Sequence, residues 1–279
     1  MPDHLRCGRF RLSLERPLVM GIVNVTPDSF SDGGEHFVPE AAVAHALRLV
    51  EEGADILDIG GESTRPGAAA VPAADELHRI LPVIEALRDC GVPLSIDTCK
   101  PEVMLAALQS GADMINDIRG FGSESSVKAV TLSDCAVCLM HMQGEPRTMQ
   151  HHPSYVDVVR EVRDYLKAGA RRLLDAGVSA DRIVLDPGFG FGKTVAHNYT
   201  LLRELAAVAE PGYACLVGIS RKSMIGAVTG RPAGQRLGGS IAAALAAVTR
   251  GAHIVRVHDV AETVSALKVW FEIERGARA

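Results

Sequence analysis

Side chains that can bind a ligand or exchange a proton recur where short apolar runs of the sequence end. Eight such runs end, in order, at Asn24, Gly61, Asp97, Asn116, His141, Asp186, Ser220 and His258. Carboxylate and amide oxygens accept hydrogen bonds, and a histidine can donate, accept or carry a proton. Single cations lie beside these positions, at Arg65, Lys222 and Arg256. The set suits a polar ligand with an anionic group, because isolated cations fit a local anion better than a polyanion.

Two loops rich in glycine, proline and hydroxyl residues follow the first two apolar runs. Residues 24–34 contain the aromatic Phe30 among Thr, Ser and Asp side chains. Residues 60–67 set Ser63, Thr64 and Arg65 in a glycine-rich frame. Hydroxyls and a guanidinium on such a frame can wrap an anion, although a solvated surface turn has the same composition. The residues alone leave a binding loop and a surface turn both open.

The elements that must position these side chains follow from the spacing of the runs. Each run has the length of a buried strand, and amphipathic segments separate one run from the next. Eight such units predict a (β/α)8 TIM barrel in a single domain, with the strand carboxyl ends forming the catalytic face. Arg256 and His258 alternate along the last strand, so both can point to one face. We assign residues 18–279 to the barrel and residues 1–17 to a lead-in that could form a short hairpin.

Helices are expected between the runs. They cover residues 39–52, 74–89, 101–110, 155–176, 198–209, 239–250 and 260–274, with one short helix within 121–134. Pro101 followed by Glu102 favours a helix start, and Asp259 can cap the last helix. Gly53, Gly111 and Gly251 follow three of these segments, a position typical of a helix C-cap.

Composition excludes several classes of protein. A chain of 279 residues that is 47% hydrophobic and 23% charged fits one large soluble domain. The net charge of -5 provides no basic surface for nucleic acid. The longest apolar stretch, near residues 241–248, is far shorter than the roughly 20 residues of a membrane span. Because the N-terminal residues are charged and lack an apolar leader segment, we expect a cytoplasmic protein that binds neither nucleic acid nor membrane.

Three local patterns suggest chemistry that their context does not favour. Cys135 and Cys138 form a C-x-x-C pair, but strand residues three apart face opposite sides, which favours reduced core thiols. Residues 188–194 resemble a nucleotide loop, yet Pro187 stands where a Walker A motif requires glycine. His151 and His152 lie in a loop without a nearby carboxylate cluster, so a metal site there is not expected.

Seven segments resemble, in order, the signatures of the dihydropteroate synthase family. They are residues 24–34, 58–67, 95–98, 115–117, 186–193, 220–223 and 256–259. Each match alone is weak, but seven in the family's order are specific, and the resemblance covers residues 18–270. One departure is Gln235, where the family pattern has an acid, and this position lies outside the expected pocket.

The resemblance implies a transferase of folate biosynthesis. It would condense 6-hydroxymethyl-7,8-dihydropterin diphosphate with 4-aminobenzoate, giving 7,8-dihydropteroate and diphosphate by an SN1-like mechanism without a nucleophile–base pair. Mg²⁺, held mainly by the diphosphate, would be the cofactor. Sulfonamides resemble 4-aminobenzoate and would compete for its pocket. The resemblance also suggests a homodimer, formed through small-residue faces of residues 240–248 and 260–271.

The resemblance also implies a role for each site residue. The pterin would be bound by Asp97, Asn116, Met140, Asp186, Gly218 and Lys222. The diphosphate would be bound by Asn24, Ser63, Thr64, Arg65, Arg256 and His258, with Asn24 also a ligand of Mg²⁺. The 4-aminobenzoate would be bound by Phe30, Pro66, Phe189 and Ser223. The catalytic residues would be Arg65, Lys222, Arg256 and His258, of which Arg65, Arg256 and His258 would stabilise the departing diphosphate. From the residues alone, Asp97 could instead cap the following helix.

Two other functions remain open at this point. A non-catalytic pterin-binding paralogue would keep the pterin carboxylate without turnover. A pterin-dependent methyltransferase barrel would share that carboxylate but would not need residues 28–34 and 63–67. The presence of both loops together with Arg256 and His258 favours the synthase.

Overall fold

The chain forms a closed barrel of eight parallel strands, preceded by a two-stranded antiparallel hairpin. The computed structural model describes residues 2–26, 39–63, 70–146, 148–209 and 212–275. The hairpin strands are β1 (His4–Cys7) and β2 (Phe10–Ser13). The barrel strands are β3 (Leu18–Asn24), β4 (Ile56–Gly60), β5 (Leu94–Asp97), β6 (Met114–Asp117), β7 (Ala136–Met140), β8 (Ile183–Asp186), β9 (Ala214–Val217) and β10 (Ile254–Val257). Because β10 pairs with β3, the sheet closes, and the predicted (β/α)8 TIM barrel is confirmed.

Helices follow the barrel strands in turn. They are α1 (Pro39–Glu51), α2 (Ala73–Leu87), α3 (Pro101–Ser110), α4 (Glu124–Thr131), α5 (Val158–Asp175), α6 (Val195–Arg203), α7 (Leu205–Val208), α8 (Ser223–Thr229), α9 (Leu237–Val248) and α10 (Val260–Arg275). Gly111 ends α3 in the left-handed region at φ 112°, which confirms the C-cap expected there. Within the described ranges, none of the helices combines the length and apolarity that a membrane span requires.

Two helices differ from the expectation. The segment expected over 198–209 is two helices, α6 and α7, and α6 begins earlier because Thr194 forms a capping box with His197. The sequence analysis missed α8, which has only seven residues and no capping side chain to mark its start. The carboxylate of Asp259 binds Arg221 instead of capping α10.

The barrel wall separates two apolar clusters. One lies between strands and helices and includes Cys135, whereas the other fills the barrel interior and includes Cys138. The two cysteines therefore face opposite sides of β7, as the strand period requires. Interior packing of Met20, Ile56 and Leu216 occupies the lower part of the barrel, and the polar side chains Asp58, Asp97, Asn116 and Asp186 lie above it.

The N-terminal hairpin closes the amino-terminal end of the barrel. Leu5 and Cys7 of β1 are buried in the interior cluster. Arg9 donates from Nε and Nη2 to the buried carboxylate of Asp113, at 3.0 and 3.1 Å. Gly8 lies at φ 55°, where a Cβ would come within 2.6 Å of Asp113 Oδ1, so the turn needs glycine. The hairpin is thus an integral part of the barrel core.

This packing predicts the effect of removing Leu5. Leu5 is 1% exposed, so Leu5→Ala should lower the free energy of unfolding, by about 3 kcal/mol through lost burial and the cavity left behind. Urea unfolding followed by circular dichroism measures the loss. The control is Leu132→Ala, since Leu132 is 72% exposed, and its effect should stay within about 0.5 kcal/mol. Equal effects of the two substitutions would show that the hairpin does not contribute to the barrel core.

Candidate active site

A buried arginine joins two carboxylates near the carboxyl ends of the strands. Arg256 on β10 donates from Nε to Asp58 Oδ2 at 2.5 Å and from Nη2 to Asp97 Oδ2 at 3.0 Å. Ser95 Oγ donates to Asp58 Oδ1 at 2.6 Å, and Asn116 Nδ2 donates to Asp58 Oδ2 at 3.3 Å. Asp58 is therefore the centre of a hydrogen-bonded network that spans four strands of the barrel.

The sequence analysis missed Asp58 because it considered only the ends of the apolar runs. Asp58 lies inside the run at residues 55–61 and is completely buried. The sequence nevertheless indicates a special role for Asp58, because a carboxylate in the middle of an apolar strand needs a cationic or hydrogen-bond donor partner. Burial lowers the pKa of Arg256, but Asp58 and Asp97 outweigh that effect and raise it above its usual value. The guanidinium is accordingly charged, and it organises the site from within.

Acceptor atoms without partners lie beside this network. Among the described residues, neither Asp97 Oδ1 nor Asn116 Oδ1 has a hydrogen-bond partner, although both atoms are buried. Asp186, at the end of β8, is 6% exposed, and its Oδ1 accepts from the Gly188 backbone N–H at 2.7 Å. Burial raises the pKa of Asp97, with Arg256 opposing, and also raises the pKa of Asp186. A ligand that supplies N–H donors would remove the cost of these unsatisfied acceptors.

Lys222 lies on the other side of the mouth, at the start of α8. Its ammonium donates to the Phe189 backbone carbonyl and lies 4.2 Å from the centroid of the Phe191 ring. Removal from water lowers the pKa of Lys222 to about 8, while Asp186 raises it and Arg256 lowers it further. Lys222 can therefore change its charge near neutral pH.

The position of Phe189 contradicts its expected role against the 4-aminobenzoate ring. Phe189 is 1% exposed and belongs to the apolar cluster beneath the helices. The aromatic ring at the mouth is that of Phe191, which is half-buried beside Lys222. The sequence G-F-G-F-G gives no periodic signal in a loop, so only the backbone path distinguishes the two rings.

His258 follows β10 and contacts Ser220, which follows β9. The Ser220 hydroxyl accepts from the His258 backbone N–H at 3.2 Å and lies 3.0 Å from His258 Nδ1. This serine–histidine contact was not expected from the sequence. Because Ser220 is 7% exposed and its hydroxyl already holds the backbone, the pair orients the imidazole and does not present an open nucleophile.

The turn between Ser220 and Lys222 is held in an unusual conformation. Arg221 has φ 57°, in the left-handed region that non-glycine residues rarely adopt. Its guanidinium binds both carboxylate oxygens of Asp259, and its backbone N–H donates to Ser240 Oγ at 2.9 Å. These contacts fix the turn that places Lys222 at the mouth.

The remaining expected site residues lie around the same mouth. Asn24 ends β3 and is half-buried, and Met140 ends β7 in register with Asp186. A Cβ on Gly218 would lie 3.8 Å from Arg256 Cβ, so this glycine packs over the arginine. Ser223 is exposed at the start of α8, and Ser63 is half-buried beyond β4. Phe30, Thr64, Arg65 and Pro66 lie outside the described residues.

Ion pairs hold the described stems of the second loop. Lys100 Nζ contacts Glu62 Oε2 and Glu76 Oε2, each at 2.5 Å. Glu62 Oε1 accepts from the Val71 backbone N–H at 3.0 Å. Glu62 therefore joins residues on both sides of 64–69 to Lys100, which immediately precedes α3.

Sequence comparisons identify relatives of the chain. The family described as pterin binding enzyme matches residues 20–258. The dihydropteroate synthase of Neisseria meningitidis serogroup C is 53% identical over 270 residues, which cover 95% of each chain. The dihydropteroate synthase of Escherichia coli strain K12 is 50% identical over 259 residues, which cover 92% of each chain.

Solved structures of similar proteins have the same fold along their whole length. Dihydropteroate synthase from Burkholderia cenocepacia, complexed with 7,8-dihydropteroate, is 55% identical with a TM-score of 0.91, covering 99% of this chain and 98% of that one. The Xanthomonas albilineans enzyme with 4-aminobenzoic acid is 52% identical with a TM-score of 0.93, and both chains are fully covered. The Yersinia pestis enzyme, in a complex with a sulfonamide drug, is 46% identical with a TM-score of 0.92, covering 98% and 100%.

The central network predicts a stability loss for Asp58→Asn. Removing one carboxylate leaves the buried Arg256 only partly paired, so the free energy of unfolding should fall by about 3 kcal/mol. Urea denaturation at pH 7 measures the change. Asp164→Asn is the control, because Asp164 is 57% exposed in its pair with Arg163, and its effect should stay below about 1 kcal/mol. A similarly small effect of Asp58→Asn would show that Asp97 alone satisfies the guanidinium.

Proposed function

The chain belongs to the dihydropteroate synthase family, and we propose that it joins its two substrates by an SN1-like step at the mouth of the barrel. It is a transferase of folate biosynthesis that forms 7,8-dihydropteroate from 4-aminobenzoate and 6-hydroxymethyl-7,8-dihydropterin diphosphate. The observation that carries the assignment of the pterin is the set of buried acceptors without partners, Asp97 Oδ1 and Asn116 Oδ1, next to Asp186.

The pterin ring complements these acceptors. Its amino group and ring N–H groups form a donor edge that Asp186 can accept, with Asn116 and Asp97 deeper in the barrel. Lys222 would donate to the ring carbonyl oxygen and N5 from the opposite side. Met140 and Gly218 would line the faces of the ring, since Met140 pairs with Asp186 and Gly218 packs over Arg256. The ligand would thus satisfy atoms that have no partner in the described part of the chain.

The 4-aminobenzoate would lie nearer to solvent, against Phe191 and the stem of Lys222. Phe191 takes the role first expected of Phe189, because its half-buried ring borders the mouth. Ser223 would hold the carboxylate at the start of α8, where backbone N–H groups favour an anion. Phe30 and Pro66 complete this proposed subsite. Sulfonamides would compete here, as the drug complex of the Yersinia pestis relative supports.

The diphosphate would lie at the outer rim, near His258 and the loop residues Ser63, Thr64 and Arg65. Arg256 uses Nε and Nη2 on carboxylates, so its Nη1 group is the part that can face an anion. Asn24 fits Mg²⁺, because a half-buried amide oxygen at a strand end is a hard ligand and this ion needs few protein ligands. When bound, Mg²⁺ would neutralise charge on the leaving diphosphate.

The reaction follows from this arrangement of charges. The C–O bond breaks first, the electron pair leaves with the diphosphate oxygen, and the methylene cation is stabilised by the electron-rich dihydropterin. Arg65, Arg256 and His258 would stabilise the departing anion, while Lys222 would hold the pterin ring and Asp97 would lie on the side of the cation. The arylamine nitrogen then attacks and loses its proton to water. No side chain needs to act as a strong base, because the arylamine is unprotonated at neutral pH.

A homodimer and a cytoplasmic location are further parts of the proposal. On α10, Val269 is 61% and Ile273 is 70% exposed, next to Trp270. They border a groove of about 610 Å³ between α9 and α10 that also includes Leu245. A continuous apolar face of this kind fits the same face of a second copy. All six cysteines are free thiols, which persist in a reducing compartment.

Diphosphate release from the purified protein tests the reaction. With Mg²⁺ and the pterin diphosphate, release should depend on 4-aminobenzoate and yield 7,8-dihydropteroate. Substrate labelled with ¹⁸O in the bridging position should scramble the label before the amine reacts, because the bond breaks first. Pterin binding without turnover would instead identify a non-catalytic paralogue, and turnover without scrambling would contradict the SN1-like step. Removing Mg²⁺ with a chelator should abolish release.

The pKa of Lys222 predicts how pterin affinity depends on pH. The ammonium is charged below about pH 8 and neutral above it. Because hydrogen bonds from a charged donor are stronger, affinity for diphosphate-free dihydropterin should fall about tenfold as the pH rises from 7 to 10. Titration calorimetry measures the dissociation constants. Lys222→Met serves as the control, since its affinity should change only through other groups. Parallel pH profiles for the two proteins would contradict the role of Lys222.

A further inference from the structure

Lys193 is a buried lysine that the proposed reaction does not use. It is 2% exposed, and it ends the segment 186–193 that begins with the pterin carboxylate. Its Nζ donates to the carbonyls of Gly188 at 2.8 Å, Phe191 at 3.0 Å and His141 at 3.3 Å. Nζ also lies 2.9 Å from His141 Nδ1. One ammonium thus binds both ends of the loop that carries Phe191.

His141 provides two hydrogen-bond acceptors for Lys193, its ring Nδ1 and its backbone carbonyl. Burial lowers the pKa of Lys193 to about 7, with Asp186 opposing this effect. In its charged form the ammonium can only donate, so His141 Nδ1 accepts, and the neutral imidazole carries its proton on Nε2. Burial, and then the charge of Lys193, lower the pKa of His141 to about 3, which keeps the ring neutral. The ring packs edge-on against Tyr165, with centroids 4.9 Å apart. The end of β7 therefore offers Lys193 a fixed acceptor and a fixed carbonyl.

The loop backbone lies directly against the residues that follow β7. Gly188 has φ 68°, and a Cβ there would lie 1.9 Å from the His141 carbonyl oxygen. Gly192 has φ 61°, and a Cβ would lie 2.2 Å from the Gln143 carbonyl oxygen. Tyr155 Oη donates to the Gly192 carbonyl at 2.8 Å. Phe191 lies between these two glycines. Its backbone carbonyl accepts from Lys193, and its ring contacts the ammonium of Lys222.

We propose that Lys193 is a positioning residue for the arylamine: its ammonium fixes the Phe191 backbone, and so sets the aromatic wall of the second-substrate pocket. This inference rests on the proposed function and refines it. Asp186 accepts from the Gly188 backbone N–H, and Lys193 bonds the Gly188 carbonyl, so the link from Lys193 to the pterin carboxylate is indirect. Loss of the Lys193 ammonium should therefore disturb the arylamine site more than the pterin site.

Steady-state kinetics and pterin binding of Lys193→Met test the proposal. The KM for 4-aminobenzoate should rise about tenfold, because a small misplacement of a positioning wall costs one to two orders of magnitude. The dissociation constant for diphosphate-free dihydropterin should change by less than about threefold. Lys193→Gln keeps N–H donors for the carbonyls and should recover part of the loss. Lys128→Met, which removes an exposed lysine on α4, should match the wild type in both measurements.

The thermal midpoint of every variant is measured by circular dichroism, so that a folding defect is recognised. If Lys193→Met fails to fold, the same measurements on Lys193→Gln and Tyr155→Phe test the proposal. Tyr155→Phe removes only the bond to the Gly192 carbonyl, and it should raise the arylamine KM about threefold with kcat little changed. Equal losses for both substrates, or no change in arylamine KM, would overturn the proposal. Failure of the wild type to form 7,8-dihydropteroate would instead overturn the proposed function itself.

Discussion

The ion pair between Arg256 and Asp58 determines how the mouth of this barrel is built. A carboxylate inside a strand would be too costly to bury unless a cation and other donors satisfied it. Arg256, Ser95 and Asn116 all donate to Asp58, so side chains from three strands are fixed by one acceptor on a fourth. Arg256 also donates to Asp97 Oδ2, and the other oxygen of that carboxylate has no partner among the described residues. The site is therefore rigid at its centre, and its unsatisfied acceptors face a ligand.

A gradient of polarity along the barrel axis gives each substrate group its place. The lower interior is apolar and packed, the middle holds the carboxylates, and Lys222 and His258 lie toward the rim. A molecule with a donor-rich ring and an anionic tail matches this order in one orientation. Because the charges are held by strands and by fixed turns such as Arg221, little reorganisation is needed when the leaving group becomes more negative.

Much of this architecture follows from sequence patterns, whereas several decisive contacts do not. Apolar runs with polar ends predicted the barrel and brought Asn116 and Asp186 to one mouth, since parallel strands align their carboxyl ends. Asp58 was missed because it lies inside a strand, whereas the candidate residues were sought at the strand ends. Phe189 and Phe191 are equivalent in sequence, and only the loop backbone, held by Lys193, buries one ring and exposes the other. The short helix α8 lacked a cap that could mark it.

The N-terminal hairpin has a consequence for the order in which molecules enter and leave. Because Leu5 and the Arg9–Asp113 pair close one end of a filled barrel, the opposite mouth is the route between the acceptor-lined interior and solvent. A ring bound at Asp186 lies deeper than one bound beside Phe191. With the two substrates bound as proposed, the second molecule to arrive would lie across the exit of the first, so the pterin would enter before the arylamine, and the coupled product would leave tail first through the same opening.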